Sequence, residues 1–138
     1  MPKLNILRLE EDLSATHLRL QNVHIEQLPW EQVVMRYDRS HTLFYLDPPY
    51  WGTDSYGAPF ELREYERMAE LAATVQGAVL ISINDHPEMR RIFGRFSIEE
   101  FRLQYTVAGA GGVPAQELLV SNVHCDDLRR VTGPMSLF

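Results

Sequence analysis

The string Asp47-Pro48-Pro49-Tyr50, set directly behind the apolar run Leu43-Phe44-Tyr45-Leu46, constrains this chain more than any other feature. Two consecutive prolines fix φ near about −65° and remove two backbone N–H donors, so no regular element continues through them. The residues before them, Thr42 to Leu46, have the aromatic and β-branched character of a short buried strand. The sequence thus predicts a buried strand that stops abruptly and delivers a carboxylate, a stiff turn and an aromatic ring at its carboxyl end. In open α/β sheets that end is where ligands bind.

The flanking pattern is α/β. Glu11 to Leu20 reads as a helix with Leu13, His17 and Leu20 at helical spacing, and Val23-His24-Ile25-Glu26 alternates like a short strand. Pro29 suits the first turn of a helix through Tyr37, with Trp30, Val33, Val34 and Tyr37 as its apolar stripe. Trp51 to Pro59 is a loop, and Glu61 to Val75 a helix closed by Gly77. Ala78 to Ile83 predicts a second buried strand ending at Asn84-Asp85, and Pro87 opens a helix through Phe93. Phe101 to Val107 and Glu117 to Val120 predict two more strands, antiparallel neighbours joined through Ala108-Gly109-Ala110-Gly111-Gly112. The expected fold class is α/β with about four strands, mostly parallel with an antiparallel C-terminal strand, and helices on both faces. Because the glycine-rich segment joins two strands, it does not read as a cofactor-cradling loop, which leads from a strand into a helix.

Composition narrows the function classes. The 138 residues suffice for one domain with a modest core. No apolar stretch approaches the roughly 18–20 residues of a membrane span, and Met1 to Asn5 shows no secretory signal. A single cysteine, Cys125, rules out an internal disulfide and suits a reducing cytoplasm. A formal charge of −6 argues mildly against a stand-alone nucleic-acid binder. The single lysine, Lys3, argues against a nuclease that pairs carboxylates with a lysine. His124-Cys125-Asp126-Asp127 holds metal-ligand residue types, but adjacent residues rarely converge on one ion, so it reads as a solvated strand end. Arg90, Arg91 and Arg95, with Arg129 and Arg130, could meet phosphates or form solvated faces.

The tetrapeptide suits one chemical problem well. The exocyclic amine of adenine is a poor nucleophile because its lone pair is delocalised into the ring. Two acceptors at its hydrogens, the Asp47 carboxylate and the Pro48 carbonyl, favour a pyramidal nitrogen with a localised lone pair. Tyr50 would stack on a base flipped from the duplex, with Pro49 beside it, while Trp51 and Tyr56 could either contact the base or DNA or pack on the domain as loop aromatics. The bland alternative is a stiff turn, yet this string arises by chance in fewer than about one in a hundred chains of this length.

With these residues in place, the sequence resembles the Dam-like DNA adenine-N6 methyltransferases, particularly the versions common in prophages. Arg19 to Val23, Ile25 to Glu31, Tyr37-Asp38-Arg39, Thr42 to Trp51, Leu80 to Asp85 and Gln116 to Asn122 carry the similarity, which covers about residues 8–123. The resemblance implies a methyltransferase (Rossmann-like) fold, S-adenosylmethionine as methyl donor and DNA as partner. It implies Asp47, Pro48 and Tyr50 as catalytic residues and Pro49, Tyr50 and Trp51 as base-binding. Asp47 is also a candidate for the cofactor, and Asn84 and Asp85, placed at the end of the second strand beside the site, are candidates to line the cofactor or base pocket. Family members carry a Phe-x-Gly-x-Gly cofactor loop ahead of the catalytic strand, whereas the 46 residues before Asp47 contain no glycine. The expectation is therefore a partial fold: residues 1–40 a helical remnant of the recognition region, 41–124 the catalytic half and 125–138 an irregular tail. Such a chain is expected to show little activity alone. It would act as a homo-oligomer or with a complementing N-terminal methylase half, unless it is a non-catalytic prophage remnant.

Overall fold

The computed structural model describes residues 6–53, 60–105 and 113–124. The elements in chain order are α1 (Ile6–Leu20), α2 (Trp30–Tyr37), β1 (Leu43–Leu46), α3 (Leu62–Ala72), β2 (Ala78–Asn84), α4 (Pro87–Phe93), β3 (Ser97–Tyr105) and β4 (Val113–Ser121). The chain divides into two compact units, residues 1–32 and 33–138. No helix among the described residues is long and apolar enough to cross a membrane.

The first unit is built on α1, whose leucines Leu9, Leu13, Leu18 and Leu20 are all exposed. The strand expected at Val23 to Glu26 does not form. Alternation creates a strand only where a neighbour supplies hydrogen bonds and cover. Here Val23 and Ile25 lie exposed.

The second unit is a four-stranded sheet in the order β1-β2-β4-β3. β1 runs parallel to β2, with Phe44 opposite Val79. β4 is antiparallel to both neighbours, Val120 lying opposite Ile81 on one side and Ile98 on the other. Three strands therefore share one direction and β4 alone is reversed, inserted between β2 and β3. Phe44, Val79, Ile81, Ile83, Leu118 and Val120 are all buried. The period of two turns Ser82, Asn84 and Glu117 to the opposite face of the sheet. α3 adds Tyr65, Met68, Ala69 and Ala72 to the core, and α4 adds Met89 and Phe93.

Each helix has a local cause. In α3 the buried residues fall at i, i+3, i+4 and i+7, and Glu64 in its first turn suits the helix dipole. It ends at Ala72, short of the expected Val75. Asp38 accepts hydrogen bonds there from the backbone N–H groups of Gln76 (2.9 Å) and Gly77 (2.9 Å), which turns the chain into β2. A Cβ at Gly77 would lie 2.7 Å from the Thr42 carbonyl oxygen, so only glycine lets the two segments approach. In α4 His86 Nδ1 accepts from the Glu88 N–H at 3.2 Å, with Pro87 in the first turn. β3 starts at Ser97 rather than Phe101, because pairing with the long β4 extends it through Glu99 and Glu100. The glycine-rich segment 108–112 and the tail from Cys125 lie outside the described residues.

Candidate active site

β1 ends at Leu46 and leaves Asp47 exposed at its carboxyl end, while Pro48 is buried and Pro49, Tyr50 and Trp51 are half-buried. The turn that follows is fastened at successive carbonyls. The Pro49 carbonyl accepts from the Tyr65 hydroxyl at 2.5 Å. That of Tyr50 accepts from the Thr53 N–H (3.2 Å) and hydroxyl (2.8 Å). That of Trp51 accepts from Asn84 Nδ2 at 3.0 Å, and Asn84 Oδ1 accepts the Trp51 N–H at 2.9 Å. Gly52 closes the turn at φ +79°, a left-handed conformation that favours glycine. Among the described residues nothing donates to the Pro48 carbonyl.

The carboxylate itself is tied to the sheet. Ser82 Oγ donates to Asp47 Oδ1 at 2.8 Å, and the Tyr45 hydroxyl donates to Ser82 Oγ at 2.9 Å. Tyr50 donates its hydroxyl to Glu117 Oε1 on β4, a largely buried carboxylate opposite Asn84 in the register. Beneath the turn, Tyr65 packs edge-on to Trp51 (ring centroids 5.9 Å apart) and to Phe60 (4.9 Å). Burial pushes the Tyr65 phenol up to about 12, so it remains a hydrogen-bond donor to Pro49 throughout the neutral range.

Of the sequence-derived residues, Asp47 to Trp51 and Asn84 meet at the carboxyl ends of β1 and β2. Asp85 departs from them. Both of its oxygens are bound by Arg90, at 2.6 and 2.8 Å, and Arg90 also reaches Glu100 at 2.7 Å. These hydrogen bonds from Arg90 hold the Asp85 carboxyl below the usual carboxylate range. The arginines considered for phosphate contact are likewise engaged: Arg91 with Glu88 and Glu66, and Arg95 with the Ala69 carbonyl. Arg129, Arg130 and Tyr56 lie outside the described residues.

Four residues of the site escaped sequence reasoning: Tyr45, Ser82, Tyr65 and Glu117. A lone hydroxyl inside Leu80-Ile81-Ser82-Ile83 and a lone carboxylate leading Leu118-Leu119-Val120 were signals of a kind, since buried polar groups need partners. Nothing in the spacing named those partners.

A family model described as D12 class N6 adenine-specific DNA methyltransferase matches residues 3–107, which takes in α1 through β3 and every site residue except Glu117. No curated protein matches the chain.

Proposed function

The chain belongs to the D12 class N6 adenine-specific DNA methyltransferases, and on that premise we propose that Asp47 and the Pro48 carbonyl bind the exocyclic N6 amine of an adenine flipped out of DNA. One observation carries the reading. At the end of β1, a carboxylate oxygen (Asp47 Oδ2) and a backbone carbonyl (Pro48) stand next to each other with no donor on either among the described residues, while the three carbonyls that follow are all occupied. Two adjacent acceptors on a stiff turn match the two N–H bonds of an amine. Accepting both draws the nitrogen lone pair out of conjugation and aims it away from the turn. Asp47 then offsets the positive charge that grows on nitrogen as it is alkylated. Tyr50, with its hydroxyl held by Glu117, offers a ring for the flipped base to stack on, beside Pro49 and Trp51.

The methyl donor on this reading is S-adenosylmethionine, which supplies an electrophilic methyl group. Of the candidates to hold it, Asp85 has both carboxylate oxygens engaged by Arg90, whereas Asn84 gives one amide hydrogen and one lone pair to Trp51 and has a second amide hydrogen to offer a ligand. Asp47 Oδ2 has no donor among the described residues. Residues 41–124 carry the amine-binding chemistry, and residues 1–40 belong to the region leading from target recognition.

A second reading, that the chain works as a homo-oligomer or with a complementing methylase half, has one observation in its favour. The catalytic strand β1 is the last strand of the sheet, with Leu43 and Tyr45 exposed. Such edges invite pairing with further strands.

The test is transfer of labelled methyl from S-adenosylmethionine to duplex DNA, followed by digestion to nucleosides. N6-methyladenine is the expected product, at a low yield for the chain alone and a higher one with a complementing half. Asp47→Ala is expected to lower it by about 100-fold or more. Label on cytosine, RNA or protein, or an undiminished yield in Asp47→Ala, would overturn the proposal.

A further inference from the structure

We infer that Ser82 is a positioning residue for the Asp47 carboxylate and that Tyr45 fixes the direction of the Ser82 hydroxyl. The role in methyl transfer rests on the reading above, whereas the hydrogen-bond chain does not. An ionised carboxylate can only accept, so the contact of 2.8 Å between Ser82 Oγ and Asp47 Oδ1 must use the single hydroxyl hydrogen of Ser82. Ser82 Oγ is left with lone pairs alone, and the Tyr45 hydroxyl, 2.9 Å away, must donate into them. The chain Tyr45 to Ser82 to Asp47 therefore has one polarity, and each link strengthens the next.

The architecture gives this chain its purpose. Asp47 is exposed and follows the last residue of β1, so packing does not hold its side chain. Ser82 sits buried on β2, a strand flanked by β1 and β4, one place beyond the Leu46–Ile81 pair and opposite Leu119 of β4. It thus ties a side chain without packing support to an interior strand of the sheet. Ser82 holds Oδ1, and Oδ2 is the oxygen with no donor among the described residues, so it is the one better placed to accept from the amine. Ser82 selects which carboxylate oxygen meets the substrate and at what rotamer.

The experiment has two arms on the purified chain. In the first, three-bond couplings from NMR report the χ1 rotamer of Asp47 without any substrate. Wild type is expected to show one rotamer and Ser82→Ala averaged couplings. Ser82→Thr, which keeps the hydroxyl, is expected to restore the single rotamer. Tyr45→Phe, a change at an exposed strand position that tolerates it, is expected to fall between. In the second arm, labelled-methyl transfer is expected to lose about 10- to 100-fold in kcat in Ser82→Ala, with KM for DNA within about twofold and rescue by Ser82→Thr. Unchanged Asp47 couplings in both Ser82→Ala and Tyr45→Phe would overturn the inference. Couplings that shift as expected in a chain whose wild type never methylates adenine would instead sink the functional reading and leave Ser82 as the anchor of Asp47.

Discussion

Glu117 is an unlikely place for a carboxylate: largely buried on the inserted strand and closed over by the hydroxyl of Tyr50. Its effect is to set the pitch of an aromatic ring, since a tyrosine held at its oxygen cannot swing about its χ angles. Glu117→Leu is expected to free that ring and, under the proposed function, to weaken stacking of a flipped base, raising KM for DNA about tenfold. Glu117→Gln keeps an acceptor and is expected to stay within about threefold of wild type. Titration with a duplex carrying 2-aminopurine at the target position reads the difference. Asn84 works by a similar logic on the backbone, its amide closing a two-bond clasp on Trp51. At this scale the sequence was legible only where the site is contiguous. Asp47 to Trp51 could be read directly because their order is their geometry. Tyr65, Ser82 and Glu117 lie 16, 35 and 67 residues from the groups they hold, and only the folded sheet brings them there.

The elements were more legible than the site because burial leaves a periodic mark. β2, buried along one face and half-buried along most of the other, reads as a nearly continuous apolar run, and α4 is framed by Pro87 and Gly94. The failures have equally physical causes. Val23 to Glu26 has the alternation of a strand yet forms none, and the start of β3 lacks alternation yet pairs along its whole length with β4. The junction between α3 and β2 shows how tightly elements are joined. Gly77→Ala would press a methyl against the Thr42 carbonyl, and a loss of about 1–3 kcal/mol in urea unfolding is expected. Asn122 serves the same junction. Its Oδ1 accepts the Val79 N–H, and its Nδ2 donates to the carbonyls of Ala72 and Gly77. Asn122→Ala strands these backbone groups, and about 2 kcal/mol of destabilisation is expected in the same measurement.

For the whole molecule, two groups help to set the pH range of stability, from opposite ends. The folded chain holds the Tyr65 phenol at about 12 against an ordinary 10.0. Its contribution is complete below pH 10 and is lost as pH rises from there towards 12, because the unfolded chain ionises first. Asp85 has the opposite sign. Held below its ordinary 3.8 by Arg90, it contributes above that value and loses the contribution as pH falls through its lower folded one. Urea midpoints measured across pH are expected to fall at both ends. Tyr65→Phe should flatten the alkaline limb and Asp85→Asn the acid limb, leaving the other limb of each unchanged.

The order β1-β2-β4-β3 also has a consequence for how the molecule is made. Synthesis proceeds from the amino end, so β2 and β3 leave the ribosome before the strand that belongs between them. Until β4 emerges, β2 has a partner on one side only and β3 has none, and Tyr50 still lacks Glu117. The sheet closes from its middle, and β4, translated after both of its neighbours, joins them and brings Glu117 to Tyr50.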